Sequence, residues 1–144
     1  MLIGFVCTAN RCRSPMAEAF ARIRHGASGI RFASAGTLGS AGQPATTGTI
    51  DTMAEVGLDL SGHRSTALDD LMARHPDLVY VMTAEHRDQV LARYADLDGR
   101  VLLLRPDGLP VEDPYLGGPD EYRAGRDEIA AAVAARAADW RNRH

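Results

Sequence analysis

The chain has 144 residues, of which 45% are hydrophobic and 24% charged, with a formal net charge of −3. That length corresponds to one domain of roughly 100–200 residues, and the composition excludes a disordered, collagenous or disulfide-stapled protein. All 16 cationic residues are arginine, which excludes a Walker-type loop ending in lysine and any Schiff-base chemistry; the acidic balance argues against a nucleic-acid partner.

Leu2 to Val6 reads as a buried strand. The stretch has no basic leader and is too short for a signal peptide or a membrane span, so a cytoplasmic protein with no membrane partner is expected. Ser14-Pro15 then reads as a helix start, with Ser14 at the N-cap and Pro15 at the first helical position. Met16, Ala19, Phe20 and Ile23 follow at helical spacing, and Gly26 marks a stop. Ile30 to Ala33 reads as a second strand, followed by a small-residue loop through Gly42. Ile50, Met53 and Ala54 mark a second helix ending near Gly57, and Leu68, Leu71 and Met72 a short third one. Leu78 to Met82 is a strand, and Thr83 caps a helix running to about Tyr94. Val101 to Leu104 is a fourth strand. A proline- and glycine-rich loop spans 105–119, and a last alanine-rich helix runs from about Asp120 to Arg141.

This alternation predicts a single-domain α/β fold over residues 1–144. Its doubly wound sheet has about four parallel strands and helices on both faces. Ligands in such folds bind beyond the carboxyl ends of the strands, so the loop after Val6 is where chemistry is expected. It reads Cys7-Thr8-Ala9-Asn10-Arg11-Cys12-Arg13-Ser14-Pro15. A cysteine leaves a strand, and an arginine follows six positions later at a helix N-terminus. Such a loop can turn its backbone N–H groups inward on an anion, and the helix start adds further donors. Arg13 can grip two phosphate oxygens with its planar fork, and Ser14 can donate its hydroxyl to sulfur. All three favour negative charge on the Cys7 sulfur, the form that attacks. Two cysteines five residues apart in a reducing compartment also suggest catalysis or redox activity rather than a structural disulfide.

The string Cys7-x5-Arg13-Ser14-Pro15, with Asn10 and Cys12 inside it and Met16-Ala17-Glu18 after it, resembles the bacterial low-molecular-weight protein tyrosine phosphatases. The resemblance continues through Ser34-Ala35-Gly36, His63 in Ser-Gly-His-Arg, and Asp113-Pro114-Tyr115. It implies a hydrolase that passes a phosphoryl group from a phosphorylated protein to cysteine and then to water, releasing inorganic phosphate. Position by position, it implies Cys7 as nucleophile, Arg13 as phosphate clamp and Asp113 as general acid. Thr8, Ala9, Asn10, Arg11, Cys12, Ser14 and Tyr115 would form the substrate pocket. Asn10 would hold the loop in a left-handed turn with Ser34 and His63 in support, and Ser14 would stabilise the attacking sulfur. No cofactor is implied. His25, His75, His86 and His144 stand at no ligand spacing, so no metal is expected either.

Three departures bear on substrate choice. Ala9 replaces a usual glycine, Arg11 replaces a small or apolar residue, and Thr37 to Gly42 lacks a flanking aromatic. The short 37–42 stretch looks like the protein-arginine phosphatases of the same fold, which usually carry threonine at position 11. Phosphotyrosine is the expected substrate and phosphoarginine the alternative. Arsenate reduction is a weaker third possibility, because no cysteine follows Cys12 and an external thiol would be needed. A non-enzymatic anion-binding or redox-sensing domain is disfavoured by the presence of Cys7, Arg13 and Asp113 together. A Cys7–Cys12 disulfide formed on oxidation is plausible.

Overall fold

The computed structural model describes residues 1–141; His144 lies outside them. Among the described residues, one sheet holds four parallel strands in the order β2-β1-β3-β4. They are β1 (Leu2–Cys7), β2 (Arg31–Gly36), β3 (Leu78–Val81) and β4 (Val101–Leu103). The helices are α1 (Arg13–His25), α2 (Thr47–Ala54), α3 (Leu68–Met72), α4 (Ala84–Arg93) and α5 (Pro119–Arg136). This is the doubly wound α/β sheet that the sequence pattern predicts. No described helix is long and apolar enough to cross a membrane.

Central β1 is buried along its whole length, so it reads as an unbroken apolar run rather than an alternation. Its two faces enter different cores. Ile3, Phe5 and Cys7 meet Met16, Ala17 and Phe20 of α1, Ile129 and Val133 of α5, and Trp140. Leu2 and Val6 meet Leu68 and Leu71 of α3 and Val90 of α4. Each large apolar side chain buried this way contributes about 1.5–3 kcal/mol. Both layers fix where β1 ends, and with it the position of Cys7.

Three boundaries differ from the predicted ones. Helix α1 begins at Arg13, with Cys12 at the N-cap and Pro15 at the third helical position. Ser14 is no cap, because its hydroxyl lies on Cys7 and Asn10 instead. The helix start therefore has no side-chain cap and no acid in its first turn, which leaves its N–H donors open. Strand β2 continues to Gly36 through Ser34 and Ala35, which pair with Phe5 and Val6 of β1. Those small residues let the loop after β1 lie directly on the strand. A Cβ at position 36 would stand 2.6 Å from the Thr8 carbonyl oxygen and 2.9 Å from the Ala9 carbonyl carbon. Finally, the last helix tightens into a 3-10 turn over Ala137–Trp140. That turn lowers Trp140 into the core, where its Nε1 donates to the Tyr80 hydroxyl at 3.0 Å. Thr83 caps α4 as expected, accepting from the His86 N–H.

Candidate active site

Cys7 ends β1 and is buried. Residues 8–12 curl away from it and rejoin the fold at α1. Four carbonyls along this curl are turned outward and bonded to neighbouring segments. Cys7 O accepts from Thr37 N (3.0 Å), Thr8 O from Leu38 N (2.9 Å), Asn10 O from His63 Nε2 (2.7 Å) and Arg11 O from Thr46 N (3.0 Å). A peptide whose carbonyl points out directs its N–H the other way. The inner side of the loop is thus a set of backbone donors, continued by the uncapped start of α1. A carbonyl can only accept, so Nε2 of His63 carries the proton.

Asn10 holds the turn. Its φ of 57° is left-handed, a conformation that asparagine tolerates better than most residues. Thr66 N donates to Asn10 Oδ1 at 2.8 Å, which fixes the amide orientation. Asn10 Nδ2 then donates to Ser14 Oγ (2.8 Å) and Ser34 Oγ (2.9 Å). Each serine must direct its own proton elsewhere. Ser34 donates to Glu18 Oε1 at 2.5 Å. Ser14 Oγ has Cys7 Sγ at 2.9 Å and donates to the Ala35 carbonyl at 3.5 Å; a sulfur that has lost its proton can only accept, and Ser14 is then its donor. A chain of hydrogen bonds from Thr66 N through Asn10 thus ends on the Ser14 hydroxyl beside the Cys7 sulfur.

Arg13 is 4% exposed. Its Nη1 donates to Val111 O at 3.0 Å, and its Nη2 lies 3.4 Å from Thr8 Oγ1 and 3.5 Å from Asp113 Oδ2. The guanidinium plane is held from the 105–118 loop, which also supplies Asp113. Asp113 sits at the mouth, half-exposed, with Oδ1 accepting from Tyr115 N at 3.0 Å. Cys7, Arg13 and Asp113 share one cavity of about 300 Å³, lined also by Thr8, Ala9, Arg11, Cys12, Thr46 and Tyr115. The side chains of Asn10 and Ser14, expected in the pocket, lie beneath the loop and are fully buried. Ser34 and His63 stand behind it, each bonded to Asn10. Arg11 reaches the rim, where its Nε donates to Pro44 O at 2.7 Å. Cys7 and Cys12 are free thiols. Burial pushes the Cys12 thiol up to about 12, so it remains protonated.

Sequence reasoning missed His86. It was weighed only as a metal ligand. Among the described residues no three His, Cys, Asp or Glu side chains gather as metal ligands. Instead His86 is buried between two hydroxyls: Nε2 is 2.8 Å from Thr8 Oγ1 and Nδ1 is 3.0 Å from Thr83 Oγ1. The available signal was topological. The strand before Thr83 neighbours β1, so α4 starts beside the loop. Burial first, and then Arg13, lowers the His86 pKa to about 4. An unfolded histidine titrates near 6.5, so between those values the unfolded chain binds a proton that the native one refuses. Stability from neutral His86 is present above about pH 6.5 and is lost as pH falls toward 4. In urea unfolding across that range, the advantage of the parent over His86→Asn should shrink as pH drops. A constant gap would contradict this.

Residues 2–142 match the family model described as low molecular weight phosphotyrosine protein phosphatase. The low molecular weight protein-tyrosine-phosphatase Etp of Escherichia coli (strain K12) is 37% identical over 122 residues, 85% of this chain and 78% of its own length. A protein-arginine-phosphatase of Geobacillus stearothermophilus is 34% identical over 137 residues, 91% of this chain and 90% of its own length. A solved structure of the C7S mutant of the YwlE arginine phosphatase, with its active-site serine phosphorylated, has a TM-score of 0.91 at 29% identity, covering 100% of this chain and 98% of that one.

Proposed function

The chain belongs to the low molecular weight phosphotyrosine protein phosphatase family, and from that premise we propose that it hydrolyses phosphotyrosine in proteins through a phosphocysteine at Cys7. The protein is a metal-independent, cysteine-based protein phosphatase. The observation carrying the residue assignment is that Cys7, Arg13 and Asp113 share one cavity, with a hydroxyl donor 2.9 Å from the sulfur.

The loop N–H groups and the Arg13 fork bind the non-bridging phosphate oxygens and stabilise the charge that grows on them. The Cys7 sulfur forms a bond to phosphorus as the bond to the tyrosine oxygen breaks. Asp113 gives its proton to that leaving oxygen. Asp113, now a carboxylate, takes a proton from water, whose oxygen attacks phosphorus as the S–P bond breaks. Inorganic phosphate leaves and Cys7 is regenerated. Asn10, Ser14, Ser34 and His63 hold the loop through these steps, and Thr8, Ala9, Arg11, Cys12 and Tyr115 wall the pocket. We take residues 1–144 as one such domain working in a bacterial cytoplasm. Two free thiols at the reacting end of the sheet suit a reducing setting.

Arg11 supports tyrosine over arginine. Its tether to Pro44 keeps a guanidinium at the rim, where it repels the guanidinium of phosphoarginine. On a phosphotyrosine ring the same group gains ~0.5–2 kcal/mol. A phosphoarginine reading is favoured by one observation, the 34% identity to a protein-arginine-phosphatase across nine-tenths of both chains. Assays on phosphotyrosine, phosphoarginine and arsenate side by side decide the substrate class. The ratio of kcat/KM for phosphotyrosine over phosphoarginine should fall in Arg11→Thr. An unchanged ratio, or a parent that prefers phosphoarginine, would overturn the preference.

A further inference from the structure

A second cavity of about 370 Å³ adjoins the catalytic one and shares two of its walls, Thr46 and Tyr115. Its shape is set by hard contacts. The Tyr122 ring closes on Gly48, where a Cβ would stand 2.4 Å from it. The Tyr122 hydroxyl bonds Thr46 Oγ1 at 3.1 Å. Thr46 also caps α2 and donates its N–H to Arg11 O in the phosphate loop. One residue thus ties this cavity to the catalytic loop, and the two cannot move apart independently.

The charged groups of the two cavities differ. The catalytic cavity carries Arg11 and Arg13 at its loop end, with Asp113 at its mouth. The lining of the second includes Asp51 and Glu55 and no cationic residue. Glu55 is already engaged by Arg123 and Arg126, at 2.8 Å each. Asp51 is exposed and in none of the ion pairs among the described residues. The Tyr115 ring, half-exposed, stands between the two cavities. A free carboxylate beside an aromatic face suits a guanidinium or ammonium group.

We propose that this second cavity is a specificity subsite, in which Asp51 and Tyr115 receive a basic side chain flanking the phosphorylated residue of the substrate protein. The inference rests on the phosphatase reading and deepens it. An extended chain advances about 3.3–3.6 Å per residue, so a neighbour one or two positions from the phosphorylated residue spans from one cavity to the next. The substrate segment is then bipolar, with phosphate on the arginine end and a base on the carboxylate end.

The test uses phosphotyrosine peptides with arginine or glutamate placed in turn at the two positions on either side, with free phosphotyrosine assayed in parallel. In the parent, arginine should raise kcat/KM over glutamate about 3- to 10-fold at one position, the size expected of one exposed ion pair with a cation–π contact. The preference should fall to within about twofold in Asp51→Asn and invert in Asp51→Arg, and salt should weaken it. Hydrolysis of free phosphotyrosine should be the same in all three proteins. No arginine preference in the parent, or the same preference in Asp51→Asn, would overturn the subsite alone. Failure to hydrolyse free phosphotyrosine would overturn the phosphotyrosine reading and the subsite with it.

Discussion

The Cys7→Ser protein is expected to fold, to bind inorganic phosphate and to turn over no phosphomonoester. The replacement removes one sulfur at the end of a strand whose packing comes from Ile3, Phe5 and Val6. It leaves the outward-bonded loop carbonyls, the Arg13 fork and the left-handed Asn10 as they are. Phosphate affinity therefore survives. A serine hydroxyl is a far weaker nucleophile than a thiolate, and nothing beside position 7 is placed to remove its proton. Ser14, the hydroxyl 2.9 Å from that atom, is no base. Any phosphoryl group that did reach serine would form an oxygen ester, which departs less readily than the sulfur one. Phosphate titration and steady-state hydrolysis on one preparation check both halves. Appreciable turnover would remove Cys7 from its role.

Asp113→Asn should slow hydrolysis of phosphotyrosine by roughly 10²–10⁴-fold, the range for a positioned general acid. Asp113 also contacts Arg13 at 3.5 Å, so loss of that ion pair must be separated from loss of the proton. Magnitude separates them. An ion pair with one half-exposed partner is worth about 0–1 kcal/mol, at most about fivefold in rate. The leaving group gives a second separation. A phenol that is stable as its anion needs no proton, so the defect should shrink sharply for such substrates. An equal loss for good and poor leaving groups would make Asp113 a structural residue.

The reacting groups were legible because they are local. Cys7, Asn10, Arg13 and Ser14 fall within eight consecutive residues, at a strand–loop–helix junction that period and turn chemistry identify. Asp113 was legible only through the resemblance, since Asp-Pro alone opens a turn. Glu18, Thr46, Val111 and His86 were not legible as site residues. Val111 contributes a backbone carbonyl, which any residue could offer. Glu18 and His86 act through serine and threonine hydroxyls from elements whose spatial neighbours only the sheet order reveals. The misplaced start of α1 has the same origin. Ser-Pro fits a cap by local rules, but the hydroxyl is drawn to sulfur by tertiary contacts, and the helix begins two residues earlier.

The Arg13 guanidinium donates its hydrogen bond to a carbonyl 98 residues further along the chain. On the ribosome, the segment bearing the nucleophile emerges first and the segment bearing Val111 and Asp113 long afterwards. At about 5–20 residues per second, that interval is roughly five to twenty seconds. Until β3 arrives, β1 lacks its neighbour on that side. The nascent chain thus carries a thiol with no acid to protonate a leaving group and no carbonyl to orient the arginine. Competence comes only with near-complete translation, so a prematurely terminated product ending before residue 111 would carry the cysteine loop without the acid.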